Sequence, residues 1–265
     1  MPLTQGFMFY LLLSVIISGI FISGVTMLSE RLGSRLGGMV SNLPSTLLVS
    51  LLFIGITQGE DFAAAATGTV PLGMILSTLF LFSFLVLIPK GLFLALAGSL
   101  LVWLAVALFS SLFQGVSRQV WTILYFFVAI GSWLLAEKKL KIPSVGRSSR
   151  PYSGMQILIR ALFAGSVVGA AVLLARGGSA FWTGIFATFP AVMLSSMVIL
   201  TLTAGPGFAR GLGKIMLLAS TNIVVYGYLA GIFFPKTGIW WGTLMAFAVS
   251  ALWVFLLKPL FDKSL

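Results

Sequence analysis

The chain contains no cysteine and no histidine. The first absence excludes disulfides, thiolate nucleophiles and thiolate metal sites. The second removes the commonest general base, proton shuttle and metal ligand. Acids are scarce too: Glu30, Glu60, Asp61, Glu137 and Asp262 are the only five, and all lie at the borders of apolar runs or outside them. A carboxylate or imidazole proton relay within a membrane therefore has no carrier, so proton-coupled antiport is disfavoured. Divalent-metal transport is disfavoured as well, because hard cations want carboxylate oxygen and borderline ones want nitrogen or sulfur. Acid–base catalysis lacks most of its machinery. The chain is read as no enzyme, with no catalytic residue, resident metal or cofactor.

Charge of any sign is thin. Of 265 residues only 8% are charged, against about 25% in soluble domains, while 59% are hydrophobic and the mean hydropathy is +1.13. This composition predicts an all-α polytopic membrane protein. The formal net charge of +11 fits basic loops meeting anionic lipid headgroups at the cytoplasmic face. It does not imply nucleic acid, because no basic face with interleaved aromatics exists. The first thirty residues hold no Lys or Arg, so the leading apolar run is expected to be a true span rather than a cleaved signal.

Apolar runs long enough to cross a bilayer fall near 7–28, 37–57, 63–88, 91–113, 119–136, 154–175, 180–203, 211–234 and 238–257. Nine transmembrane helices are expected. The breaks between them carry turn chemistry, as in Gln58-Gly-Glu-Asp61, Gly205-Pro-Gly207 and Pro235-Lys236. Placing the Lys138–Arg150 loop in the cytoplasm also puts Arg31, Arg35, Lys90, Arg160, Arg210, Lys214, Lys258 and Lys263 there. The opposite side keeps Arg118, Arg176 and Lys236, a ratio of thirteen to three. By the positive-inside rule the N-terminus is outside and the C-terminus cytoplasmic, in the inner (plasma) membrane.

A single offset of 146 positions pairs Pro44 with Pro190 without gaps. It also pairs Gly19 with Gly165, Gly38 with Gly184, Ser50 with Ser196, Thr57 with Thr203, Gly59 with Gly205, and Pro89-Lys90 with Pro235-Lys236. The sequence thus reads as two four-helix repeats, residues 1–116 and 154–265, joined by a linker helix and basic loop at 117–153. Because one span intervenes, the second repeat should be inverted relative to the first. Loop charge agrees with this: the Gln58–Phe62 loop carries two acids, and its counterpart from Ala204 to Lys214 carries two bases.

Each proline stands mid-span, in Gly38-Met-Val-Ser-Asn-Leu-Pro-Ser-Thr46 and Thr183-Gly-Ile-Phe-Ala-Thr-Phe-Pro190. Proline removes a ladder hydrogen bond and clashes with the preceding turn, so both helices should break there. The freed backbone groups need a cavity, because lipid cannot satisfy them. Candidate substrate-binding residues are therefore Asn42, Pro44, Ser45 and Thr46 in span two, and Thr188, Pro190 and Ser195 in span seven. Ser220, Asn222 and Tyr226 join them from span eight, because a buried amide such as Asn42 or Asn222 needs partners for both its ends. Arg160, inside span six, is either a snorkelling arginine or an anion-attracting charge at an inner vestibule. Packing of small residues explains the glycines and serines equally well.

The stretch Thr183–Pro190, through Gly205-Pro-Gly-Phe-Ala-Arg210 to Tyr226-Gly-Tyr228, resembles the GlpM-like family of small bacterial inner-membrane proteins. Those are about one repeat long, with a Phe-Pro in the second span and a glycine plus basic residue opening the third. The likeness covers residues 154–258 and, more faintly, the first repeat, where Leu43 replaces the phenylalanine. It implies a fused antiparallel dimer and brings no substrate. The architecture also resembles eukaryotic fluoride channels, but the phenylalanine-threonine-serine box of their third span is missing from 63–88.

The expected function is a transporter or channel for a small anionic or neutral solute, lipid-linked solutes included, at the crossover of the two broken helices. The competing reading is a non-transporting membrane scaffold or accessory subunit whose repeat serves packing. A second copy of the chain stays open as a partner.

Overall fold

The computed structural model describes residues 5–31, 43–143 and 153–263. Helices α1 (Gln5–Arg31), α2 (Ser45–Gln58), α3 (Glu60–Ala66), α4 (Val70–Leu87) and α5 (Leu92–Ser110) come first. They are followed by α6 (Arg118–Leu134), α7 (Gly154–Arg176), α8 (Ala180–Ala187), α9 (Ala191–Ala204), α10 (Pro206–Ala219) and α11 (Thr221–Lys263). One 3₁₀ turn at Thr67–Thr69 joins α3 to α4, and a π turn at Leu135–Lys139 extends α6. No strand occurs among the described residues. Seven helical stretches there are long and apolar enough to cross a membrane, and Ser45–Gln58 is a shorter apolar one. The protein is a multi-pass membrane protein.

The last stretch is not one rod. Gly238 sits at φ 76°, ψ 168°, a region essentially open only to glycine. Trp253 Nε1 donates to Thr221 Oγ1 at 3.1 Å across 32 positions, which a straight helix would hold about 48 Å apart. A Cβ on Gly242 would lie 3.1 Å from the Phe234 nitrogen. The chain therefore folds back at Gly238 into two antiparallel helices, as expected from the break after Pro235-Lys236.

Burial orders the bundle. The Glu60–Lys90 stretch has 72% of its membrane-length window buried, against 22% for Leu92–Phe113. Thus α4 is the central post and α5 a lipid-facing one, with Phe93, Leu101, Leu104 and Leu108 exposed along it. Leucine and phenylalanine suit that exposure, since lipid tails are as apolar as they are.

Helix α1 packs mainly on α7, and small residues set their spacing. A Cβ on Gly19 would lie 3.4 Å from the Ala161 carbonyl oxygen, and one on Gly165 would lie 2.8 Å from that of Val15. Contact partners fall along α7 as they rise along α1, so the two helices run antiparallel. Arg176 at the end of α7 accordingly stacks 4.5 Å from the ring of Phe7 at the start of α1. The same reversal recurs deeper in the bundle. A Cβ on Gly213 would meet Leu85, and one on Gly231 would meet the Thr67 hydroxyl.

Candidate functional site

Helices α2 and α9 begin the same way. Each is capped by a proline, Pro44 at φ −75°, ψ 49° and Pro190 at φ −76°, ψ 47°. At both, the following N–H folds back on the preceding carbonyl: Ser45 onto Leu43 at 2.7 Å, and Ala191 onto Phe189 at 2.7 Å. These are inverse γ-turns. The first ladder bonds then run from Leu48 to the Pro44 carbonyl and from Leu194 to that of Pro190, at 2.9 and 2.8 Å. Both helices last 14 residues and end at a glycine with positive φ, Gly59 at 92° and Gly205 at 87°.

Between the two proline turns lies a cavity of about 60 Å³. A water needs roughly 10–15 Å³ on this scale, so the space holds a few waters or one small solute. Pro44, Ser45 and Thr46 line one side, and Thr188, Phe189 and Pro190 the other. Met74 and Ser77 of α4 and Met216 and Ser220 from the α10–α11 junction close the wall. None of the described residues that line the cavity is titratable. Among the described residues no cluster of acidic side chains could hold a metal ion.

Fixed hydrogen bonds hold this wall. Ser77 Oγ donates to the Thr188 carbonyl at 2.8 Å. Thr188 Oγ1 bonds back to the Ile185 carbonyl at 2.9 Å, which stabilises the end of α8. Ser220 Oγ lies 3.2 Å from the Tyr125 hydroxyl, so α6 contacts the site through its one fully buried tyrosine. Trp103 of α5 presents its ring edgewise to Phe189, with centroids 5.0 Å apart. Behind Thr188, Gly73 lets α4 come so close that an added Cβ would strike the threonine hydroxyl.

Of the residues predicted from sequence, Pro44, Ser45, Thr46, Thr188, Pro190 and Ser220 are brought together here. Ser195 is buried away from the cavity, its hydroxyl bonded to the Val192 carbonyl at 3.1 Å. Asn222 and Tyr226 are fully buried in α11 and do not line the cavity. At about 100° per residue Asn222 has turned by roughly 200° from Ser220 and Tyr226 by roughly 240°, which carries both away from the cavity face. Arg160 is buried on α7, away from the cavity, and not at its mouth. Asn42 lies outside the described residues.

The sequence reading missed Ser77 and Tyr125, whose hydroxyls look unremarkable within apolar runs. It also placed Lys214 in a basic loop. The loop is shorter than expected: Pro206 starts α10 directly after Gly205, a favoured first position for proline. Lys214 is consequently helical and 1% exposed. Its ammonium donates to Glu137 Oε2 at 2.7 Å and to the Ile142 carbonyl at 2.8 Å. No protein-family model matches the sequence, and neither curated proteins nor solved structures yield a significant match.

Proposed function

We propose that the protein is a membrane transporter or channel for a small anionic or neutral solute, with its site in the Pro44/Pro190 cavity. The observation that carries this reading is the cavity itself, opened where two like-built helix starts converge. Packing alone would have filled that space with side chains, since interiors tolerate few voids.

The nine-span inverted repeat belongs to the same proposal, as does the GlpM-like fused ancestry. Its support lies in contacts that exchange under the 146-position offset. Gly19 against Ala161 becomes Gly165 against Val15, and Leu85 against Gly213 becomes Gly231 against Thr67. Such reciprocity is the signature of a two-fold interface. Helices equivalent under the offset, α1 and α7, run antiparallel, which supports an axis in the membrane plane as in inverted-repeat transporters. Reporter fusions should find the N-terminus outside and the C-terminus cytoplasmic. Both termini on one side would sink the inverted arrangement.

Transport is tested by flux into liposomes containing the purified protein, with a panel of small anions and neutral solutes. Wild type should carry at least one of them. Asn42→Ala should slow that flux about tenfold, the loss equivalent to one polar contact in a binding site, and Pro190→Ala should slow it by letting the helix run on through the break. Absence of flux for every solute would favour the scaffold reading.

A further inference from the structure

Donors and acceptors at the two proline turns are unequal in number. The carbonyls of Leu43, Pro44, Thr188, Phe189 and Pro190 each already accept a hydrogen bond. On the donor side, Thr188 and Phe189 bond back to the Ile185 and Phe186 carbonyls at the end of α8, and Ser45 and Ala191 close the γ-turns. The N–H groups of Thr46, Leu47, Val192 and Met193 have no acceptor among the described residues, and neither helix has a side-chain cap. All four residues line the cavity. Ser45 adds a hydroxyl that lines the same cavity, is 7% exposed and makes no hydrogen bond among the described residues. Buried polar groups are ordinarily paired, so this surplus of donors points to an absent acceptor.

We infer that the cavity binds one small, singly charged inorganic anion, held by the first-turn N–H groups of α2 and α9 and by the Ser45 hydroxyl. This rests on the reading of the cavity as the protein's functional site, and narrows its ligand. Each helix start carries about half a positive charge, so two converging starts balance one negative charge. Among the described residues no lysine or arginine lines the wall to balance a second, which favours a monoanion over sulfate or the phosphate dianion. The carbonyl oxygens at both turns each accept one hydrogen bond, whereas the four first-turn N–H groups make none, so the unmet capacity favours an anion over sodium. The volume of about 60 Å³ is room enough for one such anion. Much of the remaining wall is thioether and aliphatic, from Met74, Met193, Met216 and Ile223. Such a wall replaces hydration poorly, so weakly hydrated anions such as bromide and nitrate should bind better than fluoride.

The test is thermal unfolding of the detergent-solubilised full chain at constant ionic strength, replacing sodium gluconate by the chloride, bromide, nitrate, fluoride or sulfate salt. A ligand that binds only the folded state raises the midpoint saturably. Chloride, bromide and nitrate should do so, with fluoride weaker and sulfate inert. Ser45→Ala should weaken the apparent anion affinity about tenfold, the effect of one hydrogen bond to a charged group. Ser45→Asp should abolish the anion dependence, because its carboxylate competes for the same N–H groups; an acid is also welcome in the first turn of a helix. A midpoint indifferent to anion identity overturns the inference, as does an anion effect that Ser45→Ala and Ser45→Asp leave unchanged. The flux assay separates the two readings. Anion stabilisation lost in the Ser45 variants, without flux of any solute, supports the site and removes transport. Flux of a neutral solute without anion stabilisation keeps transport and overturns the anion site.

Discussion

Replacing Gly184 by alanine should lower stability by about 2–3 kcal/mol, the upper part of the range for overpacking a close contact. A Cβ there would strike the Ala66 carbonyl oxygen and the Thr69 hydroxyl, and lie 3.2 Å from the Ala66 carbonyl carbon. Backbone cannot yield as a flexible side chain can. Relief requires α8 to move away from the Thr67–Thr69 turn, which would also break the 3.0 Å bond from Thr69 Oγ1 to the Phe181 carbonyl. Because Thr188 continues directly from α8, the displacement reaches the cavity wall. The thermal midpoint in detergent should fall by several degrees, and solute flux should fall with it. Gly68→Ala, two residues from the same contact but with open space around its Cα, should stay within about 0.5 kcal/mol of wild type. Equal behaviour of the two variants would refute the close-approach argument.

Glu137→Gln should cost about 1–3 kcal/mol, because it leaves the Lys214 ammonium buried with a neutral partner. Half-exposure of the carboxylate, at 42%, keeps the loss below that of a fully buried pair. Lys214→Met should be milder than either Glu137→Gln or Lys214→Ala. It keeps the volume of the stem and removes the charge that needed pairing, whereas alanine leaves a void. The geometry behind this is local to the end of α6. The π turn closes with Leu140 bonded to the Leu135 carbonyl at 2.9 Å, and Ile142 then bonds to that of Ala136 at 3.1 Å. That winding aims the Glu137 carboxylate and the Ile142 carbonyl at one ammonium. Thermal midpoints of the three variants decide the matter. A Lys214→Met protein less stable than Glu137→Gln would show that the lysine matters for more than pairing.

Much of the helical plan was legible because membrane spans announce themselves by length and punctuation. The break at Gly59, the turn after Pro89 and the reversal at Gly238 all fell where glycine and proline interrupt apolar runs. The two proline turns were legible because a γ-turn followed by a helix start is a local event, governed by a few neighbouring residues. What surrounds them was not. Ser77 reaches Thr188 across 111 positions and Tyr125 reaches Ser220 across 95, and no periodicity within one helix encodes such pairs. Asn222 and Tyr226 attracted notice for their polarity, yet polarity does not say which way a helix is rotated. Lys214 was obscured by its neighbours. Beside Gly205-Pro-Gly207 a lysine reads as loop, and only tertiary packing shows that its stem enters the core.

The γ-turns also have a mechanical meaning. In an ordinary helix, changing the angle between two halves strains several overlapping ladder bonds at once. Here the bonds of α8 end with Phe189 on the Phe186 carbonyl, and those of α9 begin with Leu194 on Pro190. A single backbone bond, Ala191 to Phe189, spans the proline, and Ser45 to Leu43 does the same at Pro44. At Pro190 the two half-helices α8 and α9 can therefore pivot as about a pin, with the hydrogen-bonded ladders on either side left whole.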